Sequence, residues 1–453
     1  MRVLVVGAGI GGLAAAHAVR REASRRGIPI DVRVLEASAR PGGRIATTEE
    51  DGWLVEWAAN GVQGIETTAA PLLESLGLTA ERVPARPDSA RRYVVRGGRL
   101  HLLPLSPPAL LRFGGLSPGA RLRVLAEPIF AQRHDKDETV HDFAVRHVGA
   151  EAASALVGTA VRGIFGGDAR KLSLEAAFPV MREMERKHRS LVVAMIRGKR
   201  TPGGRALWTM RRGLEQLVRG LAESLGPALR VGTPVLSLER VGEGSRGAWA
   251  AGLASGERVE ADAVIVAVPV SRAAALLRPL DRDLARAMGS IPSASLAVVA
   301  LGFRSEAFRA RPDGYGFLVA PGEPLEILGA LCESHLWPGR APEGRVLIRV
   351  MIGGSERPDL LTRSDADLTG LAMGALDRVW GLTSGPERTW VMRHTEAIPQ
   401  YPVGHRALLG AMAGRLDLLP GLHLAGNGYR GVSVAALLED ATRVAERLVE
   451  RAG

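Results

Sequence analysis

The sequence predicts an α/β protein: a parallel-sheet domain assembled from discontinuous segments, an α+β second domain and an inserted, mostly helical lobe. Three observations predict it. A strand–helix–strand unit opens the chain, with apolar runs at Val3–Val6 and Val32–Leu35 flanking a helical pattern from Ile10 to Arg20. Another buried strand, Ala263–Ala267, recurs far downstream, and Gly421–Ala425 precedes a closing helix at Val434–Val449. Between them, Pro104, Pro107, Pro108, Gly114 and Gly115 break the chain before helical patterns at 119–132, 138–160 and 173–197.

The remaining elements follow in order. The stretch 21–29 reads as a surface extension before the second strand, and 197–205 (RGKRTPGGR) as a linker. Leu214–Leu225 is a helix, and Arg230–Arg240 with Ala248–Ala254 an antiparallel pair. A short helix is expected near Ser271–Leu277. Ser295–Phe303, Gly316–Val319, Ile327–Leu331 and Val346–Ile352 read as strands of a second sheet, and Asp365–Trp380 as a helix. This divides the chain into a dinucleotide domain at 1–83, 206–290 and 405–453, a helical lobe at 84–200 and a substrate domain at 291–404.

Composition excludes several classes of function. Cys332 is the only cysteine, so internal disulfides and thiolate metal clusters are ruled out; it reads as packing rather than nucleophile. The net charge of +11 first suggests nucleic acid. However, there are four lysines, and the arginines run from end to end without clustering, so no nucleic-acid partner is expected. The chain enters an apolar strand at Val3 with no leader pattern, and its longest apolar stretches are too short to span a bilayer. A cytoplasmic protein, peripheral at most, is expected.

The chemistry is announced first by Gly7-Ala8-Gly9-Ile10-Gly11-Gly12, between a strand and a helix. Gly7 permits the tight turn, Gly9 the approach of a pyrophosphate, and Gly12 close helix–strand packing. The helix N-terminus offers amide donors to phosphate. Glu36, followed by Ala37, closes the second strand as the carboxylate for a ribose diol. Arg40-Pro41-Gly42-Gly43-Arg44 comes next, where Gly43 and Arg44 read as a second phosphate clamp. This pairing separates FAD from simple NAD proteins and makes the first domain a Rossmann-like FAD-binding domain. With it, the chain resembles the amine oxidase–like FAD superfamily. In that superfamily Ala263–Pro269 matches a late strand, Val235 lies on a strand near the adenine, and Gly421–Gly431 leads into the final helix beside the flavin.

Further blocks are similar to the protoporphyrinogen/coproporphyrinogen oxidase family: 92–95 (RYVV) with 100–104 (LHLLP), 163–168 (GIFGGD) with 171–173, 185–191, 314–319 (GYGFLV), 351–354 (MIGG), and 398–401 (IPQY) with Gly404-His405. The resemblance spans nearly the whole chain. It implies FAD-dependent oxidation of a porphyrinogen to the porphyrin with oxygen as acceptor, in haem biosynthesis. Protoporphyrinogen IX is favoured; coproporphyrinogen III, a different amine oxidase–like reaction, or a silent tetrapyrrole-binding flavoprotein are the alternatives. The flavin carries the chemistry, so no catalytic side chain and no metal is expected.

The resemblance also implies site residues. Arg92 would meet a substrate carboxylate, Tyr315 and Leu318 would sandwich the rings, Met351 would lie near the flavin face, and the backbone at Arg162-Gly163 would meet the macrocycle. FAD would be held by Gly7–Gly12, Glu36, Ala37, Gly43, Arg44, Ala59, Asn60, Gly61, Val235, Ile398, Gly426, Asn427, Val432, Ser433 and Val434. His405 would stabilise a loop rather than act as a base. The lobe at 84–200 corresponds to the family's membrane-associating region, where Leu102, Leu103, Leu105, Leu110, Leu111 and Phe113 would touch lipid or line the substrate entrance. A monomer and a homodimer are both compatible with the sequence. The chain departs from the family pattern at Ala58-Ala59, where Gly-Pro is usual, and at Val434-Ala435-Ala436-Leu437.

Overall fold

The computed structural model describes residues 1–64, 68–104, 106–197, 206–242 and 248–451. The expected linker at 197–205 lies outside them except for Arg197, and so does Leu105.

Five parallel strands form the first sheet, in the order Leu229–Arg230, Asp31–Leu35, Arg2–Val6, Ala263–Val266, Leu422–Leu424. Alternation with period two sends side chains to both faces. Val3, Val5, Val32, Val34 and Ile265 pack under the helices Ile10–Arg26, Glu215–Leu225 and Val434–Glu450. Leu4, Val6, Leu35, Val264 and Val266 pack on the opposite side, against a three-stranded antiparallel sheet and the helices Val270–Leu277 and Arg282–Gly289. Such residues are fully buried, and each contributes about 1.5–3 kcal/mol through its apolar surface.

The first helix runs past Arg20 to Arg26, so most of the expected surface extension is helical. Glu22 pairs with Arg25 and Arg26 one turn on, and nothing breaks the helix before Gly27, which caps it at φ 68°.

The second sheet has seven strands, in the order Arg388–Pro399, Ser293–Arg304, Arg345–Gly353, Gly329–Cys332, Gly316–Val319, Arg92–Arg96, Arg99–Leu102. The segment expected to be helical from residue 84 therefore contributes a hairpin to this sheet, and its α-helices begin at Pro107. Arg92–Arg96 pairs in parallel with Gly316–Val319, a long-range partnership that local pattern does not display. One face of the sheet carries Val95, Phe317, Val319, Ala330, Ile348, Val350 and Ile352 against the helix Asp365–Trp380. Cys332 belongs to this buried face, and burial pushes its thiol pKa up, as befits a packing residue.

By register, the opposite face carries Arg92, Gly316, Leu318, Gly329, Leu331, Arg349 and Met351. The helical segment covers one end of that face, where Val94 meets Leu110, Phe113 and Leu116. A hairpin, Thr47–Glu50 with Trp53–Glu56, covers the other end, placing Trp53 and Val55 on Val298 and Ala300. The strip between them is half-open: Leu318, Met351, Tyr315 and Gly163 are all partly exposed. Among the described residues no helix is long and apolar enough to cross a membrane.

Candidate active site

The cofactor cradle forms where the first strand turns into the first helix. Gly7 has φ +101°, and a Cβ there would sit 2.9 Å from Val268 Cγ1. At Gly12 a Cβ would fall 2.0 Å from the carbonyl oxygen of Gly7, so only hydrogen fits between helix and strand. Gly9, which precedes Ile10 and Gly11 in the first turn, differs: no atom lies within 4 Å of its Cβ position. Gly9 is also the N-cap of the helix, with no side-chain cap and no acidic residue in the first turn. The helix thus presents uncapped amides and its positive dipole end to open space, an anion site in waiting.

Glu36 ties the turn together. Its carboxylate accepts the N–H of Ala8 at 2.7 Å and that of Ser38, just beyond Ala37, at 2.8 Å. Each oxygen retains a lone pair for a ribose hydroxyl. The Glu36 backbone carbonyl accepts the N–H of Thr233, which brings the strand start at Val235 to the same end. Gly42 N–H donates to Ala8 O at 2.7 Å, and a Cβ on Gly43 would lie 3.3 Å from Gly9 Cα. The second glycine loop therefore lies on the first.

The arginines of that loop behave differently from a symmetric phosphate clamp. Arg40 spends its guanidinium on the carbonyls of Pro41, Gly43 and Ile45 and stacks over Trp57, so it is a strut. Arg44 donates through one nitrogen to the carbonyls of Thr395 and Glu396, joining the loop to the seven-stranded sheet. A cleft of about 400 Å³ runs beside them, between Trp57, Trp390 and His394.

The C-terminal strand completes the cradle. Gly426 (φ +122°) has nothing within 4 Å of its Cβ position, and its Cα lies 3.5 Å from a Cβ built on Gly11. The loop then carries Asn427, whose carbonyl accepts from the Tyr401 hydroxyl, and Val432, and enters the last helix through Ser433, which caps Ala436 N–H. Val434 is the first residue of that helix and Ile398 packs nearby in the apolar cluster of Val432 and Tyr401. His405 stacks on Tyr401 and shares a hydrogen bond with the Tyr429 carbonyl, so it anchors this loop as expected.

Ala59, Asn60 and Gly61 lie where the two sheets meet. Asn60 donates to Glu333 Oε1 at 3.0 Å, and a Cβ on Gly61 would meet the Trp337 ring at 2.8 Å.

The substrate candidates occupy the half-open strip. The Arg92 guanidinium stacks 5.0 Å from the centroid of Tyr315. Burial raises the pKa of Tyr315, Glu333 raises it further, and Arg92 and Arg349 oppose. Leu318 faces Gly163 so closely that a Cβ there would come within 2.7 Å of its methyls. Met351 shares a cluster with Leu296, Leu328 and Ile398, which connects the strip to the flavin loop. Arg162, in contrast, turns its guanidinium to Glu356 at 2.9 Å and to the Val319 carbonyl. That side chain is engaged within the protein, so only the backbone of Arg162 and Gly163 is free to face the strip.

Sequence reasoning missed a buried charged group at the junction. Glu56, Glu333, Arg340 and Arg349 are all nearly inaccessible. The available signal was a charge inside an apolar strand run, as at Arg349 in 346–352. Burial pushes the Glu56 carboxyl up to about 7, while Arg340 and the Leu214 N–H oppose.

The bare glycines at 9 and 426, the uncapped helix and the doubly anchored Glu36 fit a dinucleotide. The chain matches the flavin containing amine oxidoreductases over residues 10–449 and belongs to that family. It is an oxidoreductase whose cofactor is FAD. Among its relatives, the protoporphyrinogen oxidase of Bos taurus is 34% identical over 483 residues, covering 99% of this chain and 98% of that one. The coproporphyrinogen III oxidase of Bacillus subtilis is 29% identical over 451 residues, covering 95% and 94%. A solved structure from Exiguobacterium, provisionally described as a protoporphyrinogen oxidase, has the same fold, with a TM-score of 0.86 at 24% identity over 99% of both chains.

Proposed function

We propose that the chain oxidises a porphyrinogen to its porphyrin, with protoporphyrinogen IX the favoured substrate and oxygen the final acceptor. The observation that carries this reading is the half-open strip: an apolar surface of Leu318, Met351 and Gly163 over the buried glycines Gly316 and Gly329, with the exposed Arg92 on the same face. A tetrapyrrole is flat and apolar with carboxylate arms, and such a surface suits it. FAD, when bound, accepts the electrons. The protein's share is placement. Gly9, the first helical turn, Glu36 and Gly426 would hold the dinucleotide. Leu318 and Gly163 would set the height of the substrate slot, and Arg92 would fix its rotation through a propionate.

The relatives bearing both substrate names keep coproporphyrinogen III as the second reading. Rates of porphyrin fluorescence on the two porphyrinogens distinguish them, and no rate above autoxidation on either rejects the proposal. We also propose peripheral contact with a membrane through the helical segment. Leu111, Leu122, Ile129 and Phe130 are more than half exposed there, at 51%, 62%, 78% and 53%. Co-sedimentation with anionic vesicles tests it; protein that stays in the supernatant at low salt rejects it.

A further inference from the structure

The segment from Glu56 to Gly61 has unusual support. It precedes and includes the flavin-loop residues Ala59, Asn60 and Gly61, yet its hold comes largely from the seven-stranded sheet. Arg349 donates through one nitrogen to the carbonyls of both Glu56, at 3.3 Å, and Ala58. The Trp57 carbonyl lies 2.8 Å from His394 Nε2. Asn60 donates to Glu333, and the Trp337 ring fills the space that a side chain at position 61 would need. Glu333 and Trp337 flank one short helical turn, so a single element grips two consecutive residues.

Arg349 and Glu333 are themselves a pair, Nε to Oε1 at 2.9 Å, with side chains 4% and 2% exposed. Leu331, two residues before Glu333, stands opposite Arg349 on adjacent strands. A pair this deep costs desolvation that its mutual attraction barely offsets. Apolar residues would stabilise the sheet as well or better. The pair is also incompletely satisfied, because Glu333 Oε2 has no partner. Stability alone therefore does not account for it, whereas fixing a neighbouring backbone does.

The geometry points to Arg349 and Glu333 as a positioning pair for the cofactor, holding the 56–61 segment from the substrate side so that flavin binding depends on an ion pair in the other sheet. Neither residue needs to touch the dinucleotide. The same strand carries Arg349 and, two residues on, Met351 of the substrate strip. A strand displaced by substrate would be felt at Asn60.

The test uses FAD affinity and the flavin spectrum, so it is independent of which substrate is oxidised. Purified Arg349→Met and Glu333→Ala variants are stripped of FAD and titrated with it. Each is expected to raise the FAD dissociation constant at least about tenfold, about 1.4 kcal/mol. Each should also shift the bound-flavin absorption bands and midpoint potential. The double variant should cost less than the sum of the two, since both act through one segment. Arg349→Lys keeps the buried charge without the forked donors and should fall between wild type and Arg349→Met. It also decides the matter if the Met variant does not fold. Unchanged FAD affinity, spectrum and potential in folded Arg349→Lys and Glu333→Ala would overturn the assignment, even if their melting temperatures drop.

Discussion

Two glycines of the same turn should respond to alanine in opposite ways. At Gly9 an added Cβ meets nothing within 4 Å. Its backbone has φ −64° and ψ 169°, which alanine adopts freely. The apoprotein should therefore lose only about 0.5–1 kcal/mol, the usual difference between glycine and alanine at an N-cap. The open space is nevertheless the one assigned to the pyrophosphate. A methyl group there should act like an extra methylene in a packed site, costing about 1–3 kcal/mol of binding, or roughly 5- to 150-fold in FAD affinity. At Gly12 the Cβ would lie 2.0 Å from a backbone oxygen and 3.1 Å from Ala267 Cβ, so helix and strand must separate. Gly12→Ala should lower apoprotein stability and FAD affinity together. The assay is a thermal melt of each apoprotein beside a fluorescence titration with FAD. Tight FAD binding by a stable Gly9→Ala protein would refute the placement of the cofactor.

Other outcomes follow from the same structure. The Glu56 carboxyl, raised to about 7 by burial, binds a proton in the folded state that the unfolded chain releases near 4.5. Its contribution is fully present below the lower value and lost as pH rises to 7, about 3 kcal/mol in all. His423 runs the other way: burial lowers it to about 4, so stability is lost as pH falls from 6.5 toward 4. The two slopes oppose each other in mildly acidic solution. Glu56→Gln should unmask the acid sensitivity, visible as a steeper fall in melting temperature between pH 6 and pH 5 than in wild type; an unchanged slope contradicts the shift. Gly163→Val should push Leu318 into the strip and raise KM for porphyrinogen while leaving FAD affinity intact. Arg92→Ala should raise KM about tenfold with little change in melting temperature, as expected for one charge-assisted contact to a carboxylate; an unaltered KM removes Arg92 from the site.

The legible part of the fold was the part written in local pattern. The two N-terminal strands, the glycine turn, Glu36, and the helices Asp365–Trp380 and Val434–Glu450 follow from periodicity and caps alone. What stayed hidden depends on distant partners. Arg92–Arg96 pairs with a strand more than two hundred residues away, and Arg388–Pro399, with exposed charges on an edge strand, lacks an apolar signature. Buried charges are equally opaque. His147 lies fully buried between Glu127 and Glu185 in the helical segment, and Arg349 in a sheet, yet in sequence each reads as an ordinary polar residue. Arg40 and Arg162 illustrate the same point: their internal partners, the Gly43 carbonyl and Glu356, are invisible in local pattern.

Met351 of the strip packs beside Ile398, a proposed flavin-loop residue, and the central claim is that a porphyrinogen is oxidised there. The direct measurement is oxygen consumption and porphyrin fluorescence by the FAD-loaded protein supplied with protoporphyrinogen IX in the dark. The account predicts porphyrin formation well above autoxidation, with one oxygen consumed for each two-electron step, and a slower rate at low substrate in the Gly163→Val variant. A protein that holds FAD tightly, yet forms no porphyrin from protoporphyrinogen IX or coproporphyrinogen III beyond the uncatalysed rate, would contradict it.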